Sequence, residues 1–212
     1  MLAGIIIVVV AYLLGSIPTG YLAARAKGID IRTVGSGNIG ATNAMRVLGK
    51  PAGIAVLLLD ALKGYAAVGL CPSLLRLFNG PVGDVETLRI VAGIVAVLGH
   101  NFTCWLKFKG GKGIATTGGA YLALAPLAVV VALAAFIVAV LLTRYVSVGS
   151  IAAAVALPAT VWCLPEHNLF LGSVTTALGA MAIYKHKPNL KRLMAGTESR
   201  IGQKPEAREA AK

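Results

Sequence analysis

The sequence predicts an all-α protein, a polytopic integral membrane helical bundle of seven transmembrane helices with its N-terminus outside and its C-terminus in the cytoplasm. Three observations carry this expectation. The 212-residue chain is 57% hydrophobic and 13% charged, with a mean hydropathy of +0.80, far from the balance of a water-soluble domain. Apolar runs suited to a hydrocarbon core of about 30 Å fall at 2–24, 52–75, 90–106, 114–142, 146–164 and 168–184. The basic residues collect in particular connections, which gives the bundle a sidedness. Such a composition excludes a disordered or fibrous chain. Twenty Lys and Arg against eight Asp and Glu leave a net charge of +12, which calls for anionic partners: a lipid surface or a phosphorylated substrate. Cys71, Cys104 and Cys163 are isolated and define neither a disulfide framework nor a metal site.

Taken in order, the first run has no Lys or Arg before Leu2–Leu14 and no small-residue cleavage site, so it reads as a retained helix. Residues 25–50 carry Arg25, Lys27, Arg32, Arg46 and Lys50 and are assigned to the cytoplasm; in 76–89, Arg76 and Arg89 are offset by Asp84 and Glu86. Lys107, Lys109 and Lys112 mark a second cytoplasmic stretch, and Lys185, Lys187, Lys191, Arg192 and Arg200 a third. An even number of crossings must join the last two, yet three apolar runs lie between them. Pro126 lacks the backbone N–H a helix interior needs, so 114–142 is expected to be two spans, the first short. Six crossings with one long buried helix is the alternative. Gly15, Ala24, Ala66, Ala67, Gly69, Ala92, Gly93 and Ala96 suit close helix approach. Asp60 and Lys63, three apart inside the second span, are expected to compensate each other as an ion pair, with a substrate role as the alternative. The absence of an internal repeat speaks against the repeat-built transporter folds. His167 falls on the outer side in this topology.

Three polar segments on the cytoplasmic face have the chemistry of phosphate-binding devices. The first is Gly35-Ser36-Gly37-Asn38-Ile39-Gly40-Ala41-Thr42-Asn43, followed by Arg46. Its glycines let backbone N–H groups approach an anion, Thr42 or Asn43 can cap the helix that follows, and Arg46 lies about one turn in. A plain interhelical turn with a capped helix is an equally good reading of this segment alone. The second runs through Gly99, His100, Asn101 and Phe102 to Lys109-Gly110-Gly111-Lys112-Gly113. It is no Walker A loop, because neither Ser nor Thr follows the lysine and position 106 is Leu. Its glycines are expected to expose donors beside the Lys112 ammonium. Lys107 and Lys109 suit lipid headgroups better, and His100 and Asn101 suit a simple helix end. The third segment holds Lys185, His186, Lys187, Pro188 and Asn189 and ends at Gly196-Thr197-Glu198. A histidine there is a base or a neutral donor near pH 7, although a basic tail after a last span is most often a topology signal.

Together, in this order and spacing, the three segments resemble the cytoplasmic motifs of the PlsY family, the bacterial acyl-phosphate:glycerol-3-phosphate acyltransferases. The similarity covers nearly the whole chain from Gly15-Ser16-Ile17-Pro18-Thr19-Gly20 onward. It implies one membrane-embedded acyltransferase domain over 1–200, a basic polar cytoplasmic tail over 201–212, and a place in the bacterial cytoplasmic membrane with the active site on the inner side. It implies acyl transfer from acyl phosphate to the 1-hydroxyl of glycerol 3-phosphate, giving lysophosphatidic acid and phosphate, the first step of phospholipid synthesis. By the same resemblance Ser36, Arg46, Lys112, His186 and Asn189 are the catalytic set. Gly37, Asn38, Gly40, Thr42, Asn43, His100, Asn101, Gly110, Gly111, Ser150 and Glu198 contact or frame the substrates, with Asn38 and Asn43 shaping the loop and Glu198 orienting a basic residue of the tail. No metal, no cofactor, no nucleic acid and no obligatory protein partner is called for beyond the two substrates and the bilayer. An acyl phosphate is a mixed anhydride with a good leaving group, so holding two anions together and stabilising the oxyanion suffices.

Two other classes fit parts of the sequence. A transporter of a phosphorylated metabolite predicts polar groups at mid-membrane on several spans, whereas mainly Asp60 and Lys63 lie there. A structural membrane protein with lipid-binding basic loops leaves the three segments without a purpose.

Overall fold

The structure is a computed structural model and describes residues 2–78, 85–165 and 168–202. Among these residues all regular structure is helical: α1 Leu2–Ser16, α2 Thr19–Arg25, α3 Ala41–Leu48, α4 Lys50–Gly69, α5 Cys71–Leu77, α6 Val85–Asn101, α7 Ile114–Leu124, α8 Pro126–Thr143, α9 Val146–Cys163, α10 Leu169–Lys185 and α11 Lys187–Met194. A short 3-10 turn, Cys104–Leu106, continues α6.

Several breaks follow the backbone chemistry of proline. Pro126 opens α8 at the position expected, because its ring is tolerated in a first turn. Three boundaries depart from the expected runs. Pro18 splits 2–24 into α1 and α2, bent by 42°; the run 52–75 ends at Leu70, with Pro72 in the first turn of α5; and α6 begins at Val85 rather than residue 90. Among the described residues, four helices or helical stretches are long and apolar enough to cross a membrane, namely α4, Val85–Leu106, α8 and α9, and α1 with α2 makes a fifth if the bent pair is one span. α7 and α10 are apolar but shorter. His167, assigned to the outer side, lies outside the described residues.

The helices pack through small residues, as a bundle in lipid requires. A Cβ on Gly64 of α4 would come within 2.1 Å of the Thr116 carbonyl oxygen, and one on Gly119 of α7 within 1.8 Å of that of Ala61. Only glycine at both places lets α4 and α7 meet backbone to backbone. Gly15 of α1 does the same against Ala96 of α6, at 2.0 Å. The largest core cluster joins α4, α6, α7, α8, α9 and α10 through Val68, Ile90, Val97, Tyr121, Ala128, Ala132, Leu157, Val161, Leu171 and Leu178. α8 instead exposes Leu127, Val130, Leu133, Val138, Leu141 and Leu142, an apolar surface that only lipid or a partner helix can cover. A smaller cluster of Ala24, Ile31, Ile39, Ala44, Val56 and Leu106 seats α2, α3 and the first polar segment on the start of α4.

Candidate active site

The three polar segments converge at one end of the bundle on a single cavity. It is lined by Ser36, Asn38, Gly40, Thr42, Asn43 and Arg46 from the first segment, His100 and Lys112 from the second, and His186, Asn189 and Glu198 from the third, with Ser150 from α9. Segments about 60 to 150 residues apart are thereby collected by helix packing alone.

The first segment is built around Asn43, which is 1% exposed. Its Oδ1 accepts from the Ser36 backbone N–H at 2.8 Å, while its Nδ2 donates to the carbonyls of Ile31, Val34 and Asn38 at 3.2, 3.2 and 2.9 Å. One amide thus satisfies the loop from both sides. Gly35 and Gly37 take φ of +60° and +71°, where a side chain is strained. Asn38 Oδ1 accepts from the Gly40 N–H at 2.8 Å. The cap of α3 is Gly40, without a side-chain cap bond, so neither Thr42 nor Asn43 caps the helix; Asn43 is occupied with the loop. α3 has only two turns, and Arg46 sits in its last one rather than near its start.

In the second segment two of the three glycines around Lys112 do not offer the expected donors, while Gly113 lines the cavity. The Gly110 N–H donates to the Asn101 carbonyl at 3.2 Å and the Gly111 N–H to the His100 carbonyl at 3.0 Å, so both cap the end of α6. Neither glycine lines the cavity, nor do Gly37 and Asn101. Asn101 is fully buried, its Nδ2 toward the Met181 sulfur and its carbonyl receiving Lys185 Nζ at 3.0 Å. These four residues shape the site from behind. The loop they fold presents Lys112, whose ammonium donates to Asn189 Oδ1.

Asn189 passes the contact on. Its Nδ2 donates to Glu198 Oε1 at 2.7 Å, and Arg192 Nε donates to Glu198 Oε2 at 2.7 Å. Burial opposes ionisation of Glu198, but the hydrogen bonds from Asn189 and Arg192 outweigh it and hold the carboxyl below its usual range. Glu198 thus holds Arg192 of α11, and the segment after α11 straps across the site: Ile201 N–H donates to the Arg144 carbonyl at 2.9 Å. Residues 203–212 lie outside the described residues.

Electrostatics divides the cationic and neutral groups. Burial, reinforced by Arg192 and Arg46, pushes the Lys112 amine down to about 8 despite Glu198, which leaves it charged at neutral pH. Burial pushes His186 down to about 4, with the Lys112 charge acting the same way, so its imidazole is neutral there. His186 Nδ1 lies 2.8 Å from the Ala182 carbonyl oxygen. A carbonyl only accepts, so Nδ1 carries the hydrogen and Nε2 keeps its lone pair.

A family model described as glycerol-3-phosphate acyltransferase matches residues 5–196. Proteins named glycerol-3-phosphate acyltransferase from Geobacter sulfurreducens and Synechococcus elongatus are 48% and 44% identical, aligned over 95% and 96% of this chain and 99% and 97% of their own. This chain belongs to the glycerol-3-phosphate acyltransferase family. Its fold matches the crystal structure of PlsY, an integral membrane glycerol 3-phosphate acyltransferase, in its glycerol 3-phosphate form, with TM-score 0.84, 36% identity and coverage of 94% of this chain and 96% of that one. The lysophosphatidic acid form of PlsY matches with TM-score 0.81 and 35% identity, over 94% and 95%. Membrane embedding, as in PlsY, accounts for the apolar surface of α8. Among the polar residues of the cavity, Ser147 escaped sequence reasoning, and Asp60, for which a substrate role was the alternative to a plain ion pair, lines it as well. Ser147 lies three before Ser150 on α9, a spacing that puts both on one helix face.

Proposed function

We propose that this protein transfers an acyl group from acyl phosphate to the 1-hydroxyl of glycerol 3-phosphate, releasing lysophosphatidic acid and phosphate. The observation that carries the reading is the single cavity that gathers Arg46 and Lys112 beside a neutral histidine and three serines. Two phosphate-bearing reactants need several cationic and N–H donors in one place, and their proximity supplies much of the catalysis. Ser36 and the adjoining loop would sit around the acyl phosphate, Arg46 and Lys112 would grip phosphate charge, and Ser150 would contact substrate. Asn189 holds Lys112 in register. Gly37, Gly110, Gly111 and Asn101 support the loops without touching either reactant.

The hydroxyl oxygen of glycerol 3-phosphate attacks the acyl carbonyl carbon. The new ester C–O bond forms, the C–O bond to phosphate breaks, and the hydroxyl proton ends on phosphate. A group titrating near 4 is a weaker base than a phosphate with a second pKa of about 6. His186 Nε2 therefore accepts a hydrogen bond from the hydroxyl and aims it, while a substrate phosphate takes the proton. His186→Gln, which keeps an acceptor without a basic nitrogen, should retain most of kcat where His186→Ala loses about 10²-fold; equal loss in both variants would reinstate a histidine base.

Purified protein in detergent, given acyl phosphate and glycerol 3-phosphate, should form lysophosphatidic acid without any thioester donor; no product from acyl phosphate would reject the reading. The transporter alternative is disfavoured by the cavity's position at the lysine-rich end of the bundle.

The seven apolar helices α1 with α2, α4, α6, α7, α8, α9 and α10 are read as seven crossings, with the N-terminus outside, the cavity facing the cytoplasm of a bacterial inner membrane, and residues 1–200 as one catalytic domain. Arg76 and Lys109 are both exposed and lie beyond opposite ends of α6. In a background lacking native cysteines, Arg76→Cys should react with an impermeant maleimide on intact cells and Lys109→Cys should not; the reverse pattern would invert the topology.

A further inference from the structure

At the wall of the cavity formed by α4 and α6, where the reaction so far assigns no task, lie Asp60, Lys63 and His100, which are 2%, 6% and 5% exposed. Lys63 Nζ lies 2.8 Å from Asp60 Oδ1, 2.9 Å from the Ile17 carbonyl oxygen and 2.9 Å from His100 Nδ1. Thr19 donates a further bond to Asp60 Oδ1 at 2.6 Å. An ammonium has three hydrogens, and these three acceptors use them all.

That count fixes the imidazole. Were His100 Nδ1 protonated, its hydrogen would point at the hydrogens of an ammonium 2.9 Å away. Asp60 offers His100 no alternative, because its Oδ1 is 3.7 Å from Nδ1, too far for a hydrogen bond. His100 Nδ1 therefore accepts from Lys63, and the ring hydrogen is on Nε2. The ring edge bearing Nε2 abuts Gly111, where a Cβ would stand 2.1 Å from that nitrogen, so the glycine leaves room for it. His100 also lines the cavity.

We infer that Asp60 and Lys63 are positioning residues that lock His100 as the Nε2–H tautomer, making it a hydrogen-bond donor to the anionic reactant, while His186 in the opposite tautomer is an acceptor. The two histidines then divide the chemistry, one serving phosphate or oxyanion and the other the hydroxyl. Lys63 cancels the Asp60 charge, so the carboxylate does not repel the anion from that wall. What the donor serves rests on the acyltransferase reading; the tautomer does not.

The test uses the full chain with 15N-labelled histidine, the ring signals assigned with His100→Gln and His186→Gln. Wild-type His100 should be neutral with hydrogen on Nε2. In Lys63→Met the donor to Nδ1 is gone and Asp60 attracts a proton there, so His100 should leave that tautomer. With it kcat should fall about tenfold or more, while KM for glycerol 3-phosphate changes less than about threefold. His100→Gln, which places an N–H near the former Nε2, should retain more kcat than His100→Asn. Wild-type His100 carrying hydrogen on Nδ1, or an unchanged tautomer in Lys63→Met, would overturn the inference. If Lys63→Met does not fold, the wild-type tautomer and the Gln–Asn contrast decide it. An inactive wild type with the expected tautomer would sink the acyltransferase reading and leave the tautomer lock standing.

Discussion

Lys112→Met should lower kcat/KM for acyl transfer about 10³-fold, on the order of 4 kcal/mol of transition-state stabilisation. Lys112 is the ammonium that the second segment presents to the cavity, and its contact with Asn189 ties it to Glu198 and Arg192 in the third. Removing it takes a charge-assisted donor from the phosphates and leaves the Asn189 oxygen without that partner. The amine also gives the enzyme a pH limit. With a pKa near 8, the side chain is charged below that pH and neutral above it. The grip on phosphate should therefore weaken as pH rises through about 8, and kcat/KM should fall there, since that parameter reports the free enzyme. Lys112→Arg stays charged well beyond this range. It should be slower at neutral pH, because a planar fork does not replace a compact ammonium, yet its alkaline limb should vanish. A profile from pH 6 to 10 on both proteins checks this; an alkaline limb at the same pH in Lys112→Arg would assign it to another group.

Asn43→Asp should be the most damaging near-isosteric change in the first segment. The substitution keeps Oδ1 for the Ser36 N–H but turns the nitrogen that serves three carbonyls into an oxygen that repels them. Each buried carbonyl left without a donor costs about 1–3 kcal/mol, and the new carboxylate is buried without a cationic partner in that shell. Activity should fall at least 10²-fold, and thermal unfolding in detergent should begin several degrees lower; Asn43→Ala should lose less stability because it brings no charge. An Asn43→Asp protein of wild-type stability and rate would show that the loop does not depend on this amide.

The sequence carries the parts of this fold that local chemistry dictates. Pro126 marks the boundary between α7 and α8 because a proline belongs in a first turn, and the lysines and glycines of the three segments advertise an anion site before any contact is known. The bend at Pro18 was equally local, yet a hydropathy run of 2–24 passes over it, since bending does not change composition. Tertiary pairings are a different matter. The backbone N–H groups of Gly110 and Gly111 look available to a ligand in sequence, but the return of the loop onto α6 consumes them on the carbonyls of His100 and Asn101. The spacing of Asp60 and Lys63 announced an ion pair, while the link from Lys63 to His100, 37 residues later, depends on how α4 meets α6. Ser147 was hidden for the same reason: α9 is apolar nearly all round, so nothing in its pattern says which face turns to the cavity.

Acyl transfer by this route requires two phosphate-bearing reactants to meet in one cleft. An experimental structure of the protein with glycerol 3-phosphate and a non-hydrolysable acyl phosphonate bound tests that most directly. Both phosphorus atoms should lie in the cavity bounded by Ser36, Arg46, Lys112 and His186, with the glycerol 1-hydroxyl beside His186 Nε2 and about 3–3.5 Å from the acyl carbonyl carbon. Phosphate groups bound in separate cavities, or a hydroxyl turned away from the carbonyl with both ligands present, would contradict it.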